Sequence, residues 1–120
     1  MNGKRKILVV DDDAALRETM RGVLENAGYE VTTARNGCEA ITFLARHDYD
    51  VVLLDTAMPK LDGLSVVGRL QKENSPVLAH TYLLAAGETS QFKDLPVCGV
   101  IGKPFDLHTL LAETKECIGH

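Results

Sequence analysis

Four side chains have the types and positions to do chemistry together: the adjacent carboxylates of Asp11 and Asp12, the carboxylate of Asp55, and the ammonium of Lys103. Each follows a short apolar run: Ile7 to Val10, Val51 to Leu54, and Val97 to Gly102. Runs this short, continuous and β-branched read as buried parallel strands. In an open parallel sheet the crevice lies outside the carboxyl ends of the strands, and all four side chains are expected there. Three carboxylates in one crevice repel strongly, so either one takes up a proton or a cation is supplied. Mg²⁺ keeps several waters and uses one or two carboxylates plus phosphate oxygens, which suits a sparse acidic pocket better than a closed calcium cage does. Lys103 adds a mobile positive charge opposite the ion. Together they would neutralise an incoming phosphoryl group in a loose transition state, with Asp55 as the nucleophile.

Plainer readings exist for each residue. Asp13 serves as a helix N-cap, since a helical stripe begins there, but one cap does not require three successive aspartates. Asp55 alone could be a strand-end turn former, and Lys103 alone an ordinary surface lysine. The acidic pair and the position of Lys103, at the end of an apolar strand and before a proline, weigh against both. Met58-Pro59 and Asp62-Gly63 are read as loop-shaping support, not as catalytic groups.

The elements that must hold these residues alternate strand and helix five times, the signature of a parallel sheet wrapped by crossover helices. Lys6 to Val10 is the first strand. Leu16, Met20, Val23, Leu24 and Ala27 form the apolar stripe of a first helix that Gly28 caps. Glu30 to Ala34 is the second strand, and Asn36 with Glu39 three residues on begins a second helix, whose Phe43 and Leu44 face the core. Tyr49 to Asp55 is the third strand, and the third helix ends near Glu73. Tyr82 to Ala86 is the fourth strand, Val97 to Gly102 the fifth, and a last helix runs from an Asp106 N-cap to about Ile118. Gly87 to Pro96 holds few residues for a full helix, so the fourth helix is expected to be short or irregular. The fold class is α/β, with a flavodoxin-like doubly wound five-stranded parallel sheet, (βα)5.

With 120 residues, 45% hydrophobic and 25% charged, one domain over residues 1–120 is the default. Thirteen basic against 17 acidic side chains give a formal charge of -4, without the concentrated basic surface of a nucleic-acid binder. The basic start at Met1 to Lys6 is followed by only four apolar residues before three aspartates, so no export signal is read. No apolar run approaches the ~20 residues of a membrane span. A cytosolic protein is expected. Cys38, Cys98 and Cys117 show no Cys-x-x-Cys pair and are read as small buried hydrophobes. His47, His80, His108 and His120 form no metal-ligand spacing and are read as surface or packing residues.

Ile7 to Asp13, Val51 to Asp55, Met58-Pro59, Asp62-Gly63 and Lys103-Pro104-Phe105 together resemble the response-regulator receiver family of two-component signalling, in order and spacing, over essentially the whole chain. The resemblance implies that Asp55 is the phosphoacceptor, Asp12 a direct Mg²⁺ ligand, and Asp11 a ligand acting mainly through water. The backbone carbonyl of Ala57 completes the protein's ligands, and Lys103 contacts the phosphoryl oxygens. It further implies a cis peptide before Pro104, which X-Pro bonds tolerate well. The implied partners are a histidine kinase or phosphotransfer protein, with an output domain or downstream protein as receiver of the signal. The chain would then be no enzyme beyond catalysing its own phosphorylation and dephosphorylation.

Two positions depart from the family. Receivers usually carry Thr or Ser at the end of the fourth strand, and counting from Asp55 lands on Ala85. Counting back from Lys103, with Pro76 to Leu78 as the strand, lands instead on Thr81 but buries His80 mid-strand, so Ala85 is preferred. The aromatic position three residues before the lysine is Val100. Phosphorylation is therefore expected to be read out by another surface. The alternative is a degenerate receiver that serves only as a phosphorylation-independent interaction module, against which the intact Asp11, Asp12, Asp55 and Lys103 weigh. A hydrolase of the aspartyl-phosphate type would need an acid where Ala57 stands.

Overall fold

A computed structural model describes residues 3–58 and 61–119. Pro59 and Lys60 of the turn after the third strand, His120, and the first two residues lie outside them. Five strands form one all-parallel sheet: β1 (Lys6–Val10), β2 (Glu30–Ala34), β3 (Val51–Asp55), β4 (Thr81–Ala86) and β5 (Gly99–Lys103). Their order across the sheet is β2-β1-β3-β4-β5, which reverses direction between β1 and β3. Four α-helices pack on it: α1 (Ala14–Asn26), α2 (Gly37–Arg46), α3 (Gly63–Lys72) and α4 (Leu107–Ile118).

Both sheet faces are covered, and each has its own core. Ile7, Val9, Val51, Leu53, Leu84 and Ile101 pack with Met20 and Leu24 of α1 and Leu110 and Cys117 of α4. Leu8, Val10, Val52, Leu54, Leu83 and Ala85 pack with Ala40 of α2 and Val66, Val67 and Leu70 of α3. Period-two alternation along each strand sends neighbouring residues to opposite faces, which is why the central runs are apolar throughout. All five residues of β3 are buried, and each such Val or Leu contributes roughly 1.5–3 kcal/mol relative to an exposed one.

The helix ends follow local sequence. Asp13 caps α1 by accepting from the Ala15 and Leu16 amides, and Gly28, at φ 101°, turns the chain out of the helix. Asn36 caps α2 through the Glu39 amide, while Glu39 Oε1 accepts from the amide of Arg35, so the reciprocal cap is displaced by one residue. Asp62 and Asp106 cap α3 and α4 through the Ser65 and Thr109 amides.

Strand boundaries differ modestly from expectation. β3 begins at Val51 instead of Tyr49, β5 covers Gly99–Lys103 instead of Val97 to Gly102, and β4 gains Thr81. The fourth helix shrinks to a 3-10 turn, Ser90–Phe92, and a second 3-10 turn, Pro76–His80, leads into β4. Pro76 to Leu78 is thus not a strand. Of the three cysteines only Cys117 is a buried hydrophobe; Cys38 is exposed and Cys98 half-buried.

Candidate functional site

Strand phase gathers the site. Ile7 and Val9, Val51 and Leu53, and Ile101 face the α1/α4 side, and the next residues in phase at the carboxyl ends are Asp11, Asp55 and Lys103. β1 and β3 are neighbours, so Asp11 and Asp55 emerge side by side. β5 is two strands away from β3, and the lysine side chain spans that gap. Its Nζ lies 3.1 Å from Asp11 Oδ2 and 3.3 Å from Asp55 Oδ2. Asp12, one residue past Asp11 and exposed, brings the third carboxylate: one oxygen from each of Asp11, Asp12 and Asp55 falls within 4.8 Å of the others.

Each buried carboxylate is fixed by backbone donors. Asp11 is fully buried, and its Oδ1 accepts from the Asp13 amide at 2.9 Å. Asp55, 4% exposed, accepts from the Ala57 amide at 3.1 Å, which turns the chain tightly over the strand end. The Thr56 amide donates to the Leu84 carbonyl at 3.0 Å and carries the β3–β4 ladder one residue beyond Asp55. Among the described residues no buried side-chain nitrogen or oxygen lacks a hydrogen-bond partner.

The charges are in tension. Burial raises the Asp55 carboxyl above its ordinary value; the Ala57 amide pulls it down, Asp11 pushes it up, and Lys103 pulls it down again. Burial alone would lower the Lys103 ammonium, but hydrogen bonding and attraction from Asp11, then Asp55, hold it above its ordinary value. Lys103 is therefore charged at neutral pH, and one ammonium faces three carboxylates. A pocket of oxygen donors with excess negative charge fits a hard divalent cation.

One contributor escaped sequence reading. Arg17 Nη1 donates to the Asp11 carbonyl at 2.8 Å, tethering the loop between β1 and α1 to its own helix. A basic residue one turn past the Asp13 cap was the available signal. Gly63, read from the sequence as loop-shaping support, begins α3 directly against the Asp55 carbonyl. Lys103-Pro104 is a cis peptide.

The two departures also find their places. Thr81 opens β4 at the end far from Asp55, buried, and donates its hydroxyl to the Val77 carbonyl at 2.8 Å. Asp55 pairs with Leu84, so Ala85 and Ala86 are the β4 residues at the level of the site. Ala85 and Val100 both pack into the α2/α3-side core and present no hydroxyl or aromatic ring there.

A doubly wound parallel sheet with acidic residues and a lysine at its carboxyl edge defines the class as a flavodoxin-like α/β fold. Residues 7–115 match the response regulator receiver domain model, and the chain belongs to that family. It is 39% identical over 112 residues to response regulator MprA of Mycobacterium sp. strain KMS, and 38% identical to MprA of Mycobacterium leprae. Each match covers 92% of this chain, which spans about half the length of those relatives. Among solved structures, the Francisella response regulator 1452 receiver domain superposes with a TM-score of 0.89 at 28% identity, covering 97% of this chain and 98% of that one. Thermotoga maritima response regulator TrrA, solved in complex with Mg²⁺–BeF, gives 0.77 at 32% identity, covering 94% and 98%.

Proposed function

We propose that residues 1–120 act as one phosphoacceptor domain of a two-component phosphorelay, taking a phosphoryl group on Asp55 from a histidine kinase or phosphotransfer protein in a Mg²⁺-dependent reaction. The observation that carries this reading is the bridge from Lys103 Nζ to Asp11 and Asp55, set inside three converging carboxylates. The similarity to a receiver solved with Mg²⁺–BeF supports the choice of metal and phosphoryl chemistry.

Asp12, Asp11, Asp55 and the Ala57 carbonyl would hold the ion, Asp11 mainly through water. When bound, Mg²⁺ supplies positive charge that offsets the carboxylates and the phosphoryl oxygens. The protein's part is positioning. The Ala57 amide and the strand end orient the Asp55 carboxylate, and burial keeps bulk water from it. An Asp55 oxygen attacks phosphorus in line, the new O–P bond forms as the P–N bond of phosphohistidine breaks, and the histidine nitrogen keeps the electron pair. Lys103 stabilises the charge on the transferring oxygens. Water later cleaves the acyl phosphate, returning Asp55 and inorganic phosphate, so the chemistry is limited to the domain's own modification.

Incubation with Mg²⁺ and acetyl phosphate should add the mass of one phosphoryl group per chain. Equal labelling of Asp55→Asn would place the acceptor elsewhere. Since Ala85 and Val100 lack the hydroxyl and ring, the phosphorylated state is read out by another surface. Chemical-shift changes centred on residues 81–90 and 97–102 on adding a phosphoryl mimic would contradict that. The complete site speaks against a module independent of phosphorylation. Among the described residues no helix is long and apolar enough to cross a membrane, and we place the domain in the cytoplasm with its kinase. Any output domain or downstream protein would receive the signal, with no nucleic acid bound by this acidic segment.

A further inference from the structure

The loop that carries Asp11 and Asp12 is gripped at both ends by a single residue of α1. Arg17, half-buried, donates its amide to the Asp13 carbonyl at 2.9 Å and its guanidinium Nη1 to the Asp11 carbonyl at 2.8 Å. Asp12 lies between those two carbonyls. Asp11 is held from other sides as well: its amide donates to the Ala34 carbonyl at 3.2 Å, Oδ1 accepts from the Asp13 amide at 2.9 Å, and Oδ2 accepts from Lys103 at 3.1 Å. None of those three bonds involves the peptide unit that joins Asp11 to Asp12; the one from Arg17 does. A peptide unit is planar, so holding its carbonyl also fixes its N–H and the Cα from which the Asp12 side chain projects. Asp12 is exposed, so packing does not place its carboxylate, yet an oxygen of it stands within 4.8 Å of oxygens of Asp11 and Asp55.

We propose that Arg17 is a positioning residue for the divalent cation: it clamps the backbone on both sides of Asp12 and so sets where the exposed carboxylate of the site meets the ion. The role rests on the phosphoacceptor reading, in which Asp12 binds Mg²⁺ directly. A guanidinium suits the task because its planar donors are pre-organised, and a charged donor makes the stronger bond to a carbonyl. Nη1 is directed to a main-chain oxygen, which leaves the carboxylates to Lys103 and the ion. Charge and position predict opposite signs. A cation beside an acidic pocket repels Mg²⁺, so if Arg17 acted through its field alone, removing it would tighten metal binding. If it acts by holding the loop, removing it weakens metal binding, because the backbone around Asp12 must then be ordered as the ion arrives.

Calorimetric titration of the folded chain with MgCl₂ separates the two. Arg17→Met keeps an apolar stem and should raise the Kd for Mg²⁺ by about 10–100-fold, the range typical of losing a partner that orients a metal ligand. Arg17→Gln, uncharged but with an amide donor on a shorter stem, should fall between Arg17→Met and the parent, and it carries the test if Arg17→Met is unfolded. Arg21→Met takes a cation from the same helix, out of an ion pair with Glu18, and should leave the affinity of the parent. In an Asp12→Asn background Arg17→Met should cost no further affinity, since both changes act on one ligand. The proposal is overturned if the folded Arg17 variants bind Mg²⁺ as tightly as the parent or more tightly, if Arg21→Met weakens binding equally, or if the Arg17→Met and Asp12→Asn losses add. A parent chain without saturable Mg²⁺ binding would overturn the phosphoacceptor reading together with this role, whereas a binding parent with unchanged Arg17 variants overturns this role alone.

Discussion

A Cβ placed on Gly63 would lie 2.2 Å from the carbonyl oxygen of Asp55 and 2.8 Å from the Thr56 Cα. The first residue of α3 therefore rests directly on the backbone of the proposed acceptor, and only hydrogen fits between them. Gly37 does the same at the start of α2, where a Cβ would meet the Leu61 carbonyl at 2.1 Å while its amide donates to that oxygen at 3.0 Å. Backbone, not a flexible side chain, occupies the space, so neither contact relaxes cheaply.

Gly63→Ala and Gly37→Ala are each expected to cost about 1–3 kcal/mol by urea unfolding, and Gly63→Ala to slow labelling of Asp55 as well. Gly22→Ala and Gly68→Ala, in helices with open space around them, should instead stabilise by about 0.5–1 kcal/mol. A loss at all four positions would mean that helix propensity and close approach do not explain the glycines.

Asp55→Asn should abolish phosphorylation yet raise stability at neutral pH in EDTA. The Asp55 carboxyl is raised in the folded state, chiefly by burial, so ionising it above its folded pKa disfavours folding. The neutral amide removes that cost, and the difference from the parent should shrink as pH falls below the ordinary carboxylate range. Paired denaturant melts at descending pH measure it; a less stable variant at neutral pH would show that attraction to Lys103 outweighs burial.

Mg²⁺ should raise the melting temperature of the parent chain along a saturating curve, by an amount equivalent to about 2.7 kcal/mol at a hundredfold excess over Kd. Asp12→Asn should weaken that response more than it changes the metal-free melting temperature, because Asp12 is the exposed member of the triad. Scanning calorimetry across a Mg²⁺ series would separate the two, and an unchanged Asp12→Asn response would remove it from the ligand set.

Glu39 offers a pH test remote from the site. Hydrogen bonds from the Arg35 guanidinium and amide hold its carboxyl below the ordinary glutamate value of 4.5. A depressed folded pKa contributes stability above the unfolded value and loses it as pH falls through the folded one. Glu39→Gln should thus be less stable than the parent at neutral pH, with the gap closing below about 4.5. A gap independent of pH would leave the Arg35 pairing without an energetic role.

Much of this protein is written locally. Continuous β-branched runs such as Val51 to Leu54, and caps such as Asp13, Asn36, Asp62 and Asp106, act within a few residues, so sequence alone placed β1, α1, β2, α2 and α4 closely. Asp11, Asp12, Asp55 and Lys103 were legible because strand ends and charge are local features, and a parallel sheet leaves one edge where they can meet. What remained depended on which strand lies beside which, and in what register. Counting from Asp55 and counting from Lys103 gave Ala85 and Thr81, with only the burial of His80 mid-strand to favour Ala85, because the shortened segment between β4 and β5 breaks one of the two counts. The pairing of Val52 with Thr81 and of Asp55 with Leu84 decides it, setting Thr81 at the far end of the sheet. The same long-range register brings Cys98 to Thr81 and His80 to Cys117, and α3 packing seats Gly63 on Asp55. Composition and spacing carry no record of those contacts, because each joins backbone or side chains from segments whose separation only the folded sheet closes.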